Sequence, residues 1–409
     1  MFNRIYYGWW IVLSSFFILL YVGSVIFYSF TAFFEPIAHE FGWSYAQISL
    51  ASSLRGLEMG ILAPIVGFLV DRFGSRKLIL CGVTTIGFGL IILSRTQSLL
   101  MFYVSFLIIA FGAGGCTNVT TMTTVTRWFS KKSGRALGLT LAGYGAGGLF
   151  VPLIVYLIDA YGWRMALIIL GLGMWAIGIP LSFVIRDRPE QYGYNPDGEK
   201  DGPTGEPSKD ADLKKELRFA EAFRKRSFLY LNLSETMRVL IVSSVITHIM
   251  PYLSYMGIPR GTGGLVAAGI PLFSILGRLG LGWLGDSHDK RVVMVLAYVA
   301  LGLGVFTLNY ANNLWIIGLF ILLYSPSAGG LAVMRGSILR EYYGSAFYGK
   351  MIGILLGFSA IGGMIGPTLT GWLYDTFGNY DFVWVVFAGL VLVPILLISN
   401  IRPEASVNI

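Results

Sequence analysis

The stretch Ile270–Asp286, IPLFSILGRLGLGWLGD, holds one charge inside an apolar run, Arg278, and an acid that closes its end. Arg278 lies eight residues before Asp286. In a helix that spacing sets it about 12 Å inside the apolar layer. A hydrocarbon core is roughly 30 Å thick, so this depth is near its midplane. A guanidinium there costs at least ~2.5–3.5 kcal/mol on insertion scales and faces a cavity or a partner. It keeps its proton and offers a planar fork of donors, a match for a carboxylate. Arg278 is therefore the candidate ligand for the carboxylate of a small organic acid. The alternative is a structural cation held by backbone carbonyls or a distant acid.

Other residues could carry charge or protons. Arg55 and Glu58 stand three apart in one apolar segment, and Glu235 and Arg238 do so in another. That spacing brings each pair to one helix face. Intramembrane pairs can mark proton routes, which makes Glu58 and Glu235 proton-coupling candidates, but a self-satisfied pair or a tie between helices is the favoured reading. His248 is the one histidine within an apolar segment. An ordinary imidazole titrates near about 6.5, so it suits a pH-dependent step; a hydrogen-bonded packing residue is the alternative. The polar run CTNVTTMTT, Cys116–Thr124, reads mostly as helix–helix packing, with Asn118 as the residue to place toward a cavity. Tyr28, Tyr144, Tyr252 and Tyr324 could each offer a hydroxyl to a bound acid or fill space with the ring.

These residues sit in a chain built for lipid. Of 409 residues, 55% are hydrophobic and 13% charged, against about 25% charged in soluble domains. Twelve apolar segments can be counted, from Tyr7–Phe34 through Gln47–Val70 to Phe382–Ile401, each long enough to cross a bilayer. The first begins after a single basic residue, Arg4, without a small-residue cleavage site, and reads as an uncleaved helix. Cys81 and Cys116 lie in apolar runs and suggest neither a disulfide framework nor a metal site. No cofactor is expected.

Between the sixth and seventh segments, Arg186–Arg226 is hydrophilic, with ten basic and ten acidic residues and a Pro/Gly-rich middle. It reads as a flexible linker, and its end, DLKKELRFAEAF, has helical spacing suited to a membrane surface. With the N-terminus inside, fourteen of the remaining Lys and Arg residues fall at inner ends and three at outer connections. The positive-inside rule then places both termini and the linker in the cytoplasm. The net charge of +8 is a topology signal, and nucleic acid is not an expected partner.

The chain also repeats itself at an offset of 215 residues: Gly67–Asp71 answers Gly282–Asp286, Ala113–Gly115 answers Ala328–Gly330, Gly134–Gly138 answers Gly349–Gly353, and Gly148–Pro152 answers Gly363–Pro367. Two six-helix halves running the same way pack about an axis along the membrane normal, with a site at their interface. The expected organisation is a six-helix bundle over 1–185, a linker over 186–226 and a second bundle over 227–409.

Together these features resemble the major facilitator superfamily over the whole chain. GFLVDRFGSRK, Gly67–Lys77, looks like its loop motif between the second and third spans, with a weaker copy in GWLGDSHDKR, Gly282–Arg291. RWFSKKSGRALGLTLAGYGAGG, Arg127–Gly148, is similar to the signature of the monocarboxylate transporter family, and HIMPY, His248–Tyr252, with Arg278, fits that family and the related oxalate–formate exchangers. The resemblance implies transport of a monocarboxylate such as lactate or pyruvate, often with a proton. Asp71, Arg72 and Asp286 read as latches between inner helix ends, and Arg127 and Arg135 join them as gating or structural residues. Two departures bear on coupling. The acid that precedes the arginine by four residues in the animal transporters is here Ser274, which joins the candidate substrate contacts, and their first-span lysine aligns with Tyr28. Beyond Lys350 at its inner end, the eleventh segment has no lysine in its interior, where oxalate–formate exchangers carry a second cation, and this disfavours a dianion.

The sequence-based expectation is an all-α, twelve-helix integral membrane carrier of a small monocarboxylate in the cell membrane. It would work by alternating access as a monomer with proton symport. Carboxylate exchange is the first rival and a non-transporting membrane sensor the second. No nucleophile–base pair or metal cluster supports an enzyme.

Overall fold

The computed structural model is made of helices and short connections, with no strand, among the residues it describes, which are 6–54, 56, 63–129, 132–195, 225–311, 313–343 and 348–401, with the backbone alone at 63, 64, 118, 133, 286, 340, 342, 343 and 348–350. Arg55 and Glu58 lie outside them. Ten helical stretches among the described residues are long and apolar enough to cross a membrane. One of them, Gly134–Val184, covers two expected segments. Its backbone leaves the helical region at Gly162, where φ is 79° and ψ 155°, a conformation that glycine adopts without steric penalty. The second expected segment, Gln47–Val70, falls partly outside the described residues.

The chain divides into two compact units. The first comprises residues 1–43 and 54–204, the second residues 44–53 and 205–409. The ten residues 44–53 thus belong with the C-terminal unit although they precede most of the N-terminal one.

In the first unit, α1 (Gly8–Val22) runs through a π-helical turn, Gly23–Tyr28, into α2 (Phe30–Phe41). α4 (Ala63–Phe73), α5 (Ser75–Ser94), α6 (Leu99–Cys116), α7 (Asn118–Trp128), α8 (Ser133–Ala146) and α9 (Val151–Val184) complete it. α1 and α8 meet backbone to backbone: a Cβ on Gly143 would overlap the Phe16 carbonyl oxygen. With no hydrophobic drive between helices in lipid, such small-residue contacts are what let them pack. The first ten residues of the expected linker belong to this unit. Trp128 Nε1 donates to the Arg186 carbonyl at 2.9 Å, and Tyr6 Oη donates to that of Asn195 at 3.0 Å. The Arg186 guanidinium lies 4.0 Å over the Tyr7 ring and 4.3 Å over Tyr192. Asp187 Oδ1 accepts the Arg76 N–H at 3.0 Å and so caps α5.

The second unit contains α3 (Tyr45–Leu54), α10 (Arg226–Tyr255), α11 (Arg260–Ser287), α12 (Lys290–Thr307), α13 (Leu314–Tyr343), α14 (Tyr348–Phe377), α15 (Asp381–Leu390) and α16 (Leu392–Ser399). All but the last residue of α3 fall in this unit. α11 lies against α13, and α10 against α14. α12 starts on an N-cap, where Asp289 accepts the Arg291 N–H at 2.8 Å. The Arg291 side chain beside it holds the Asp289 carboxyl below the usual carboxylate range.

Candidate carboxylate site

Arg278 sits half-buried on α11, and among the described residues no hydrogen bond, ion pair or ring contact reaches its guanidinium. Its place on α11 is tightly fixed. A Cβ on the preceding Gly277 would overlap the Pro326 carbonyl oxygen of α13, and one on Gly329 would overlap that of Ser274. Two backbones in direct contact pin the turn that carries Arg278. One turn earlier, Ser274 Oγ donates to the Pro271 carbonyl at 2.7 Å, so its hydroxyl serves its own helix.

The other two guanidiniums of this region are paired. Arg238 clasps Glu235 with two bonds, Nε to Oε2 at 2.8 Å and Nη2 to Oε1 at 2.6 Å, and its Nη1 donates to the Ala328 carbonyl at 3.1 Å. Arg335 of α13 reaches the same Oε1. The three-residue spacing does form the expected same-face pair, and Arg335 makes it an interhelical tie as well. Glu235, a proton-coupling candidate, is 2% exposed with both oxygens engaged. Spacing along one helix could not reveal Arg335, whose acid lies a hundred residues away.

His248 is fully buried on α10. Its Nε2 lies 3.0 Å from the Pro367 carbonyl and 2.9 Å from Ser49 Oγ, and its Nδ1 lies 3.1 Å from Tyr380 Oη. None of these three partners was identified from the sequence; each comes from a different helix or loop, which no local spacing signals. The candidate tyrosines Tyr252 and Tyr324 are also sunk in this unit's core. Tyr252 Oη donates to the Leu308 carbonyl, and Tyr324 Oη points at that of Val242 from 3.5 Å.

In the first unit, Tyr28 ends the π-helical turn and is half-buried, as is Tyr144, whose ring packs edge-on against Phe27 at 5.1 Å. Asn118 opens α7, its side chain outside the description. The structure thus groups Arg278, Ser274, His248, Tyr252 and Tyr324 in one unit, and Tyr28, Asn118 and Tyr144 in the other. Of the latch candidates, Asp71 and Arg127 form an ion pair at 2.5 Å. Arg72 lies 5.4 Å over the Phe73 ring, and Arg135 is exposed on α8. The side chain of Asp286 lies outside the description.

A multi-pass helical chain in two units, with a buried ion tie and a membrane-span guanidinium that has no partner among the described residues, has the make-up of a membrane transporter. Comparison with known proteins agrees. The profile of the Major Facilitator Superfamily matches residues 12–324 and 239–408, and the chain belongs to that family. Among its relatives, monocarboxylate transporter 13 of Bos taurus is 26% identical over 392 residues, covering 94% of this chain and 87% of that protein. Monocarboxylate transporter 4 of Mus musculus is 26% identical over 420 residues, covering 98% and 86%. Two solved structures share the fold. The bacterial homologue of the human lysosomal transporter Spinster, inward-facing and unoccupied, has a TM-score of 0.72 at 16% identity, covering 96% of this chain and 94% of its own. A point mutant of the nucleoside transporter NupG has a TM-score of 0.76 at 14% identity, covering 96% and 99%.

Proposed function

We propose that this protein carries a small monocarboxylate of the lactate or pyruvate kind by alternating access, with a proton moving alongside, and that Arg278 binds the carboxylate. One observation carries the reading: a half-buried guanidinium on a membrane-spanning helix without a partner among the described residues, in a unit where Arg238 and Arg335 are both paired. An intramembrane arginine left unneutralised by its own protein is a place for an anion. The carboxylate transporters among the relatives support the substrate class. The basic residues at inner loops support a cell-membrane protein with cytoplasmic termini. Cotransport of a proton fits because an anion bound to Arg278 cancels its charge, and a proton held elsewhere lets the loaded carrier reorient. His248, Glu58 and Glu235 are the proton-coupling candidates.

Ser274 favours a second reading. It stands where a coupling acid would be, and its hydroxyl is tied to Pro271. In that reading a second carboxylate replaces the proton, and the protein is an anion exchanger. Uptake of labelled L-lactate into proteoliposomes under an inward proton gradient distinguishes the two. Accumulation that collapses with a protonophore supports symport, whereas uptake that requires preloaded lactate supports exchange. In either case Arg278→Gln lowers apparent affinity about 10–100-fold, the worth of a charge-assisted bidentate contact. Unchanged uptake in that variant would remove Arg278 from the site.

A further inference from the structure

The face of α3 that belongs to the second unit is bonded along its whole length. Asp375 of α14 accepts the Tyr45 and Ala46 N–H groups at 2.9 and 2.8 Å, capping the helix start. Further along, Ser49 meets His248, Ser52 Oγ lies 3.0 Å from Thr247 Oγ1, and Ser53 Oγ lies 2.8 Å from Thr368 Oγ1. Only one of these ties, Ser49–His248, involves an imidazole, the side chain whose unperturbed titration lies nearest neutrality.

The partners of His248 dictate its tautomer. A neutral imidazole has one N–H and one acceptor nitrogen, and a carbonyl oxygen can only accept. The nitrogen 3.0 Å from the Pro367 carbonyl is Nε2, so Nε2 carries the hydrogen, shared between Pro367 and Ser49 Oγ. Nδ1 is then the acceptor, and Tyr380 Oη donates to it. A second proton can enter only at Nδ1, and it requires the Tyr380 hydroxyl to turn from donor to acceptor. Tyr380 packs edge-on to the ring at 6.0 Å, and Tyr252 and Tyr255 from α10, Tyr374 from α14 and Tyr45 from α3 pack against Tyr380 in turn. Asp375 is bonded to the start of α3 and Asp381 follows Tyr380, so among the described residues this neighbourhood holds two carboxylates and no cation.

We propose that Ser49 and Tyr380 are positioning residues for the coupling proton: they hold His248 with its single N–H at Nε2 while α3 is seated, and the ring takes its second proton at Nδ1 when α3 withdraws Ser49. The proton comes from water and returns to water; no bond other than N–H forms or breaks. This rests on the proton-coupled reading above and goes beyond it by assigning which state of α3 corresponds to which state of the ring.

The test is the pH profile of gradient-driven lactate uptake by full-length protein in proteoliposomes, measured for Ser49→Ala, Tyr380→Phe, His248→Gln and Ser53→Ala. Lactate counterflow at fixed pH serves as the control for folding and substrate binding. Ser53→Ala removes an equivalent tie of α3 but touches no titrating group. We expect Ser49→Ala and Tyr380→Phe to displace the profile by about one pH unit or more, a tenfold change in proton affinity. Ser53→Ala should keep the wild-type profile, and Ser49→Thr, which restores the hydroxyl, should restore it. ¹⁵N spectra of histidine-labelled protein should show a neutral His248 protonated at Nε2. Equal displacement in all three serine and tyrosine variants would reduce the ties to packing and overturn the proposal. So would wild-type profiles in Ser49→Ala and Tyr380→Phe. Gradient-driven accumulation that survives His248→Gln would also overturn it, leaving the substrate reading in place. Absence of counterflow in the wild type would instead count against lactate as the substrate.

Discussion

Three guanidiniums in one unit separate a binding charge from a structural one. Arg238 and Arg335 converge on Glu235, whose oxygens are both taken. Removing that acid would leave two cations in an apolar bundle, and breaking a buried ion network by deleting one partner costs about 3–5 kcal/mol. We expect Glu235→Gln to unfold at clearly lower temperature than wild type in detergent, with Glu235→Asp intermediate. Arg278→Gln should unfold at or above the wild-type temperature, because Arg278 gains nothing from the described protein. A Glu235→Gln protein as stable as wild type would show that the tie is not structural. The pairing of Glu235 with Arg238 was legible from their spacing alone. The third member was not, because topology assigned Arg335 to a helix end and its acid lies on another helix. Equally, the sequence marked His248 as a candidate but held no sign of Ser49, Pro367 and Tyr380, which three separate segments bring to its ring.

At the scale of elements, glycine decides where helices touch. Within the blocks repeated at a fixed offset, a Cβ on Gly134, Gly138 or Gly353 would meet nothing within 4 Å, so the close approaches fall at a few particular glycines. Gly112 lies against Gly82 in the first unit, while Gly329 and Gly330 lie against Ser274 and Gly277 in the second. The sequence could not rank individual glycines, since only the neighbouring helix shows which one has no room. Gly277 and Gly280 are three apart on α11. A methyl group on Gly277 would overlap the Pro326 backbone, whereas one on Gly280 would meet nothing within 4 Å. Overpacking of this kind costs about 1–3 kcal/mol or more where the obstacle is backbone. Gly277→Ala should therefore lower both thermal stability and lactate uptake, by displacing the turn that carries Arg278. Gly280→Ala should change neither. Equal behaviour of the two variants would mean that the contact between α11 and α13 yields more readily than its geometry implies.

For the whole molecule, the units are not the halves that the repeat suggests. Residues 44–53 leave the N-terminal sequence and complete the C-terminal unit. There they engage Asp375, His248, Thr247 and Thr368. A periodic sequence shows where the repeats align but not which unit a given turn packs into, because the serines on α3 look the same whichever unit they serve. The partition has a direct consequence for a chain cut between Thr204 and Gly205. The C-terminal piece alone lacks α3, and with it the two backbone bonds to Asp375 and three hydroxyl ties, together on the order of 3–5 kcal/mol, and should unfold at lower temperature than the same piece co-expressed with residues 1–204. The docked segment 186–195 stays with the N-terminal piece, so that piece keeps the Asp187 cap on α5. Co-expressed pieces should copurify and recover lactate counterflow. In that cut protein, Asp375→Ala should weaken copurification more than it weakens the intact chain, where the linker still holds residues 44–53 nearby at high effective concentration. If the C-terminal piece is equally stable with and without its partner, the ties of α3 add nothing to that unit, and the seating of α3 cannot be what sets the state of His248.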